Sequence, residues 1–178
     1  TNRLLMELDF HQNETTYVID TSGLIMLEST FKPDNPVFKA IWEEIEDLIS
    51  QGLFRTIDFV EDEINNYEGK QDFLKLWVKK WRKHFVVQTD AESINAAIPV
   101  INEEYSTGFF NARKQADGNE EADPYLIGYC KVHKCVLITN EKKEARNKIP
   151  AVSAKNQVTC INIYDFLLER GLRMERKK

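Results

Sequence analysis

The sequence predicts an α/β protein built around a parallel sheet, and three stretches carry that reading. Tyr17-Val18-Ile19 is a short apolar and aromatic run with two β-branched residues, which reads as a strand buried on both faces. Asn35 to Gly52 shows apolar residues at helical spacing and leads into strand-like Leu53 to Ile57, giving the strand–helix–strand order of a parallel crossover. Cys135 to Thr139 is a second buried strand, and it ends on Thr139-Asn140-Glu141. The first strand likewise ends on a carboxylate, Asp20, before Thr21-Ser22-Gly23 turns the chain into a helix that Thr21 or Ser22 is expected to cap. Ligands of open parallel sheets bind outside the carboxyl ends of the strands, so Asp20 stands where chemistry usually sits. The plainer alternative is that Asp20 only accepts backbone N–H groups in the turn.

The remaining elements follow in order. Asn35-Pro36 is a helix start with proline in the first turn, and Val37, Ile41, Trp42, Ile45, Leu48 and Ile49 share one face up to Gly52. Phe59 to Tyr67 reads as a helix with Val60, Ile64 and Tyr67 inward. At about 100° per residue, Glu63 lies roughly 65° from the centre of that face, Glu61 roughly 95° and Asp62 nearly opposite. Glu63 is therefore the acid expected to lean inward, although an acidic run is usually a solvated face. Lys70 to His84 is a helix with Phe73, Leu74, Trp77, Val78 and Trp81 on its apolar side and Lys79, Lys80, Arg82 and Lys83 among its basic residues. Such a face attracts phosphates or is simply solvated. Phe85 to Val87 reads as a strand, and Asp90 as the cap of a helix that Pro99 is expected to kink or restart. From Ser106 to Glu121 no period survives, and this loop carries Phe109, Phe110, Arg113 and Lys114, residue types that stack on bases and pair with phosphates. Ala122-Asp123-Pro124 opens another helix, with Asp123 readable as a mere cap. Val158 to Ile163 is the last strand and Asp165 to Arg170 the closing helix.

Bulk properties bound the function. With 178 residues, 42% hydrophobic and 30% charged, the chain has the composition of one soluble domain. Leu4, Leu5 and Leu8 near its start suggest no more than one amphipathic turn, and no stretch has the length of a membrane span. Cys130, Cys135 and Cys160 match no zinc or redox spacing and read as buried thiols, with the cytoplasm as the expected compartment. The net charge of −5 argues against a broad nucleic-acid coat but suits a carboxylate site that needs a cation. His11, His84 and His133 are isolated, and no Ser-His-acid or Cys-His arrangement is present.

Four carboxylates recur at comparable places: Asp20 at a strand end, Glu63 on an inward helix edge, Asp123 at a helix start and Glu141 beyond another strand. On a parallel sheet all four can meet at one end. Without a counter-ion they repel one another and some hold protons. One or two hard cations, Mg²⁺ or Mn²⁺, take oxygen ligands, orient a water and neutralise charge on a phosphoryl group. Carboxylates, a divalent cation and nearby basic faces point to phosphodiester hydrolysis.

The series Val18-Ile19-Asp20-Thr21-Ser22, Val60-x-x-Glu63-Ile64, Ala122-Asp123-Pro124-x-Leu126-Ile127 and Val136-Leu137-Ile138-Thr139-Asn140-Glu141 resembles the PIN-domain nucleases, most of all the VapC-like toxins and related prokaryotic PIN-like proteins. The resemblance covers residues 17–171, leaving 1–16 as an N-terminal extension and 172–178 as a basic tail. It implies a three-layer α/β/α sandwich around a central parallel sheet and a Mg²⁺- or Mn²⁺-dependent ribonuclease. By the same resemblance Asp20, Glu63, Asp123 and Glu141 are the catalytic, metal-binding acids, and Thr21, Ser22 and Thr139 orient them. Lys79, Lys80, Arg82, Lys83, Arg113 and Lys114 are the expected RNA contacts. The expected partners are an RNA substrate, a cognate antitoxin protein and a second copy in a homodimer, with no membrane. A haloacid-dehalogenase-type phosphatase also starts from a strand ending in Asp, but it needs a second Asp where Ser22 stands. The other rival is a PIN-like module that binds RNA or protein without cutting.

Overall fold

The computed structural model describes residues 14–68, 72–110 and 121–172. The leucines expected to form a first turn, the Lys70 start of the basic helix, Arg113, Lys114 and the basic tail beyond Leu172 lie outside them. Chain order is β1 (Tyr17–Ile19), α1 (Thr21–Thr30), a single 3₁₀ turn (Pro36–Phe38), α2 (Lys39–Ser50), β2 (Phe54–Ile57), α3 (Asp58–Asn66), α4 (Asp72–Phe85) and β3 (Val86–Val87). There follow α5 (Ala91–Glu104), α6 (Ala122–His133), β4 (Val136–Ile138), α7 (Ile149–Lys155), β5 (Cys160–Ile161) and α8 (Ile163–Glu169).

The five strands form one all-parallel sheet in the order β3-β2-β1-β4-β5, with helices packed around it in the expected three-layer α/β/α arrangement. β1 is central and wholly buried, which is why its three residues are apolar without alternation. The chain builds outward from β1 through β2 to β3, then returns to β1's other edge for β4 and β5. The gap between the carboxyl ends of β1 and β4 is thus the point where strand order reverses, the usual ligand crevice of such sheets. Aromatic packing ties β2 to helices on the sheet: Phe54 stacks on Phe85 at 6.0 Å between ring centroids and meets Phe166 at 5.4 Å. All three side chains are fully buried, and burial of this kind contributes about 1.5–3 kcal/mol each.

Several sequence expectations change in local detail. α1 is capped by Asp20 itself, whose carboxylate accepts the Gly23 N–H, and not by Thr21 or Ser22. Asn35 caps the 3₁₀ turn, so Val37 sits outside the helix proper and is exposed. Tyr67 lies one residue beyond α3 and is also exposed. Phe85 closes α4 and is not part of β3. α5 passes through Pro99 as one element. Its buried positions are Ser93, Ala97, Val100 and Glu104, with Ile94 and Ile98 turned outward. The reason lies opposite, on α6: a Cβ at Gly128 would stand 2.4 Å from the Ser93 carbonyl oxygen and 2.9 Å from the Ala97 nitrogen. Two backbones this close admit only small side chains between them. α7, in a stretch with no sequence expectation, is a short helix with Pro150 in its first turn.

Gly128→Ala improves helix propensity but places a methyl group into the α5 backbone. It should lower stability by roughly 1–3 kcal/mol in urea unfolding. Unchanged stability would show that the two helices part at little cost.

Candidate active site

The carboxyl ends of β1 and β4 are stitched together by hydroxyl groups around one carboxylate. Asp20 is only 2% exposed and accepts from Gly23 N–H at 2.6 Å, from the Ser22 hydroxyl at 2.8 Å and from the Thr139 hydroxyl at 2.6 Å. Ser22 Oγ in turn accepts from the Asn140 N–H at 3.0 Å, and Thr139 Oγ1 from the Glu141 N–H at 3.1 Å. Gly23 is required for this approach, because a Cβ there would meet Ile19 at 2.9 Å and Asp20 Oδ1 at 3.0 Å.

A cavity of about 380 Å³ opens beside Asp20. Its acidic side is Asp20, Glu63, Glu121, Asp123 and Glu141, and its apolar side is Ile25, Phe109 and Phe110. Glu63 reaches it from α3 and is met by the Thr21 hydroxyl and, at 3.4 Å, by the Ala122 N–H. Asp123 is not the helix cap: it is the second residue of α6, and Glu121 occupies the cap position without bonding the helix through its side chain. Glu141 lines the cavity but is already engaged. One oxygen is 3.0 Å from Lys148 Nζ, and the other accepts the Ile149 N–H at 2.7 Å.

Glu63 is the α3 acid that reaches the cavity, yet Glu61 is the more buried of the two. Its burial comes from α4 packing over it, where Arg82 Nε lies 2.7 Å from its carboxylate, a tertiary contact invisible to helical periodicity. Of the basic face, Arg82 is thereby committed, and Lys80 lies 3.5 Å from Glu46. Lys79, Lys80, Arg82 and Lys83 do not line the cavity. Two charged lining residues, Glu121 and Lys148, carry no site signal in the sequence. Glu121 looked like the end of a loop, although it stands two residues before Asp123. Lys148 fell in the stretch before α7, where Pro150 was the available signal.

Crowded negative charge shows in proton affinity. Burial pushes Asp20 up to about 7, against the lowering effect of its hydrogen bonds from Thr139, Gly23 and Ser22, and nearby Glu141 pushes it further up. Asp123 is raised well above the usual carboxylate range, first by burial and then by Asp20, Glu141, Glu63 and Glu121. The Lys148 ammonium is held charged by its bond to Glu141. The cysteines are free, and burial raises all three thiols, as expected of inert side chains. Among the described residues no helix is long and apolar enough to cross a membrane.

A family model described as "Domain of unknown function (DUF4411)" matches residues 17–174. No curated protein matches the chain. Among solved structures, the crystal structure of PAE2754 from Pyrobaculum aerophilum is similar in fold, with a TM-score of 0.51 and 14% identity over 90% of this chain and 92% of that one. The structure of FitAB bound to an IR36 DNA fragment aligns with a TM-score of 0.48 and 12% identity, over 92% of this chain and 100% of that one. The second likeness is too remote to carry an argument.

A buried acid whose affinity for protons is raised in the folded state stabilises the fold most when protonated. Without divalent cations, stability should therefore fall between about pH 4 and 7 as Asp20 ionises, by up to about 4 kcal/mol for a shift of this size. Asp20→Asn should flatten that slope in thermal unfolding with chelator present. An identical pH slope in the variant would place the titration elsewhere.

Proposed function

The chain belongs to the DUF4411 family, a domain of unknown function, and from its site we propose that it is a Mg²⁺- or Mn²⁺-dependent ribonuclease of the PIN-like type. One observation carries the reading: acids from separate elements converge on one cavity at the switch point of a parallel sheet. The donor set fits a hard cation. All the acidic donors are oxygens, and the repulsion from neighbouring carboxylates that helps raise the proton affinity of Asp123 is relieved by a divalent ion as well as by a proton. Among the described residues no three His, Cys, Asp or Glu side chains already form a ligand cage, so the carboxylates have to turn inward to hold it. Asp20, Glu63, Asp123 and Glu141 are the residues that would do so. When bound, the cation supplies electrophilic stabilisation to a phosphoryl group and makes water a better nucleophile.

The remaining chemistry belongs to the chain. Thr139, Ser22 and Gly23 hold Asp20 at a fixed angle, and Thr21 does the same for Glu63. Phe109, Phe110 and Ile25 give a base an apolar wall beside the acids. In the reaction a water oxygen adds to phosphorus, the bond to the 3′ oxygen breaks, and that oxygen leaves with a proton. The products carry 5′-phosphate and 3′-hydroxyl ends. The further proposal of a toxin held by a cognate antitoxin rests on the order of the sequence motifs, as does the homodimer, and the cytoplasmic setting rests on the three cysteines.

Purified protein should cut single-stranded RNA with Mg²⁺ or Mn²⁺ and lose all activity in chelator. Asp20→Asn and Asp123→Asn should remain folded, bind Mn²⁺ weakly by calorimetry and lose at least about 100-fold in rate. Cation-dependent RNA binding without cleavage would indicate the silent module instead. Ends bearing 2′,3′-cyclic phosphate would contradict the hydrolytic reading.

A further inference from the structure

Five carboxylates line the cavity, and among the described residues Lys148 is the one cation that does so. It immediately precedes α7, and its side chain is 46% exposed. Its Nζ lies 3.0 Å from Glu141 Oε1. The ammonium is not what places Glu141, because the other carboxylate oxygen is fixed by the Ile149 backbone N–H at 2.7 Å. Lys148 can therefore change partner while Glu141 keeps its anchor. A lysine suits such an exchange, being a point charge on a flexible stem with no planar fork to satisfy.

The problem such a residue solves is repulsion. A nucleic-acid strand brings a phosphate charge into a cavity that is already negative, and the basic face of α4 does not reach that cavity. Lys80 and Arg82 on that face are also committed to Glu46 and Glu61.

We infer that Lys148 is a catalytic residue of the proposed hydrolase: its ammonium leaves Glu141 to bind a non-bridging oxygen of the phosphate being cut. The inference rests on the hydrolase reading, but it assigns a substrate contact that the four acids do not provide. Charge accumulates on that oxygen as water adds to phosphorus, so a fixed positive group there lowers the barrier more than it tightens binding.

The test compares full-length wild type, Lys148→Met and Lys148→Arg, each checked for folding by thermal unfolding. With saturating Mn²⁺ and a single-stranded RNA, Lys148→Met should lose roughly 100-fold in kcat with a much smaller change in KM. Lys148→Arg should recover part of the rate, since it keeps the charge. With Ca²⁺ in place of Mn²⁺, oligouridylate binding by Lys148→Met should show a salt slope smaller by roughly 0.7 log units, the loss of one phosphate contact. Wild-type turnover and an unchanged slope in Lys148→Met would overturn the inference while leaving the hydrolase reading intact. A wild type that never cuts RNA, with the slope still reduced in Lys148→Met, would sink the hydrolase reading and keep the phosphate contact. A rate loss with an unchanged slope and no recovery by arginine would also overturn it, by showing that Lys148 serves only Glu141.

Discussion

The hydrogen bond from the Thr139 hydroxyl to Asp20, 2.6 Å long, joins the two strands on either side of the sheet's reversal point. The acids that line the cavity are arranged around it. It fixes a carboxylate that is almost wholly buried and would otherwise face apolar β1 and the following turn. Burying such a group without partners costs several kcal/mol, and here three donors offset that cost. The same bond closes a loop of hydroxyls and amides through Ser22, Asn140 and Glu141, so the ends of β1 and β4 cannot drift apart without stripping Asp20 of its Thr139 donor and Ser22 of the Asn140 N–H. The Asp20 that caps α1 is also the Asp20 that lines the cavity. The plain structural reading and the chemical one are therefore not alternatives at this residue.

From that fixed point the electrostatics follow. α3 delivers Glu63, the start of α6 delivers Glu121 and Asp123, and the segment after β4 delivers Glu141. The effect is plainest at Asp123, whose proton affinity is raised first by burial and then by Asp20, Glu141, Glu63 and Glu121, all acting in the same direction. Clusters of this kind are poor choices for stability and persist where a cation or a reaction needs them. Ile25, Phe109 and Phe110 line the same cavity, so the acids share it with an apolar surface.

Much of this is legible in the sequence because it is local. Tyr17-Val18-Ile19-Asp20 encodes a buried strand with a carboxylate at its end, and Val136 to Glu141 repeats the design. Parallel pairing alone then brings Asp20 and Glu141 to the same end of the sheet. What the sequence does not expose is what one element does to another. Glu61 is buried because α4 covers it, Ile94 and Ile98 turn outward because Gly128 draws α6 against Ser93 and Ala97, and Lys148 reaches the acids through a loop with no periodic signal. The basic face of α4 shows the converse: its charges stand out in sequence, yet two of them are spent on neighbouring acids. Asp123 was ambiguous for a different reason. A carboxylate before proline is read as a cap by default, and only the extra residue of helix ahead of it frees the side chain for the cavity.

The central claim is that these acids hold a divalent cation together. It is tested most directly by loading the protein with Fe²⁺ in place of Mg²⁺ or Mn²⁺ and adding ascorbate and peroxide, so that radicals formed at the ion cut the nearest backbone. Cuts should cluster beside Asp20, Glu63, Asp123 and Glu141, fade as Mn²⁺ is added, and vanish in Asp123→Asn. Cuts confined to other segments, or a pattern at these four places that Mn²⁺ does not suppress, would contradict a shared cation site.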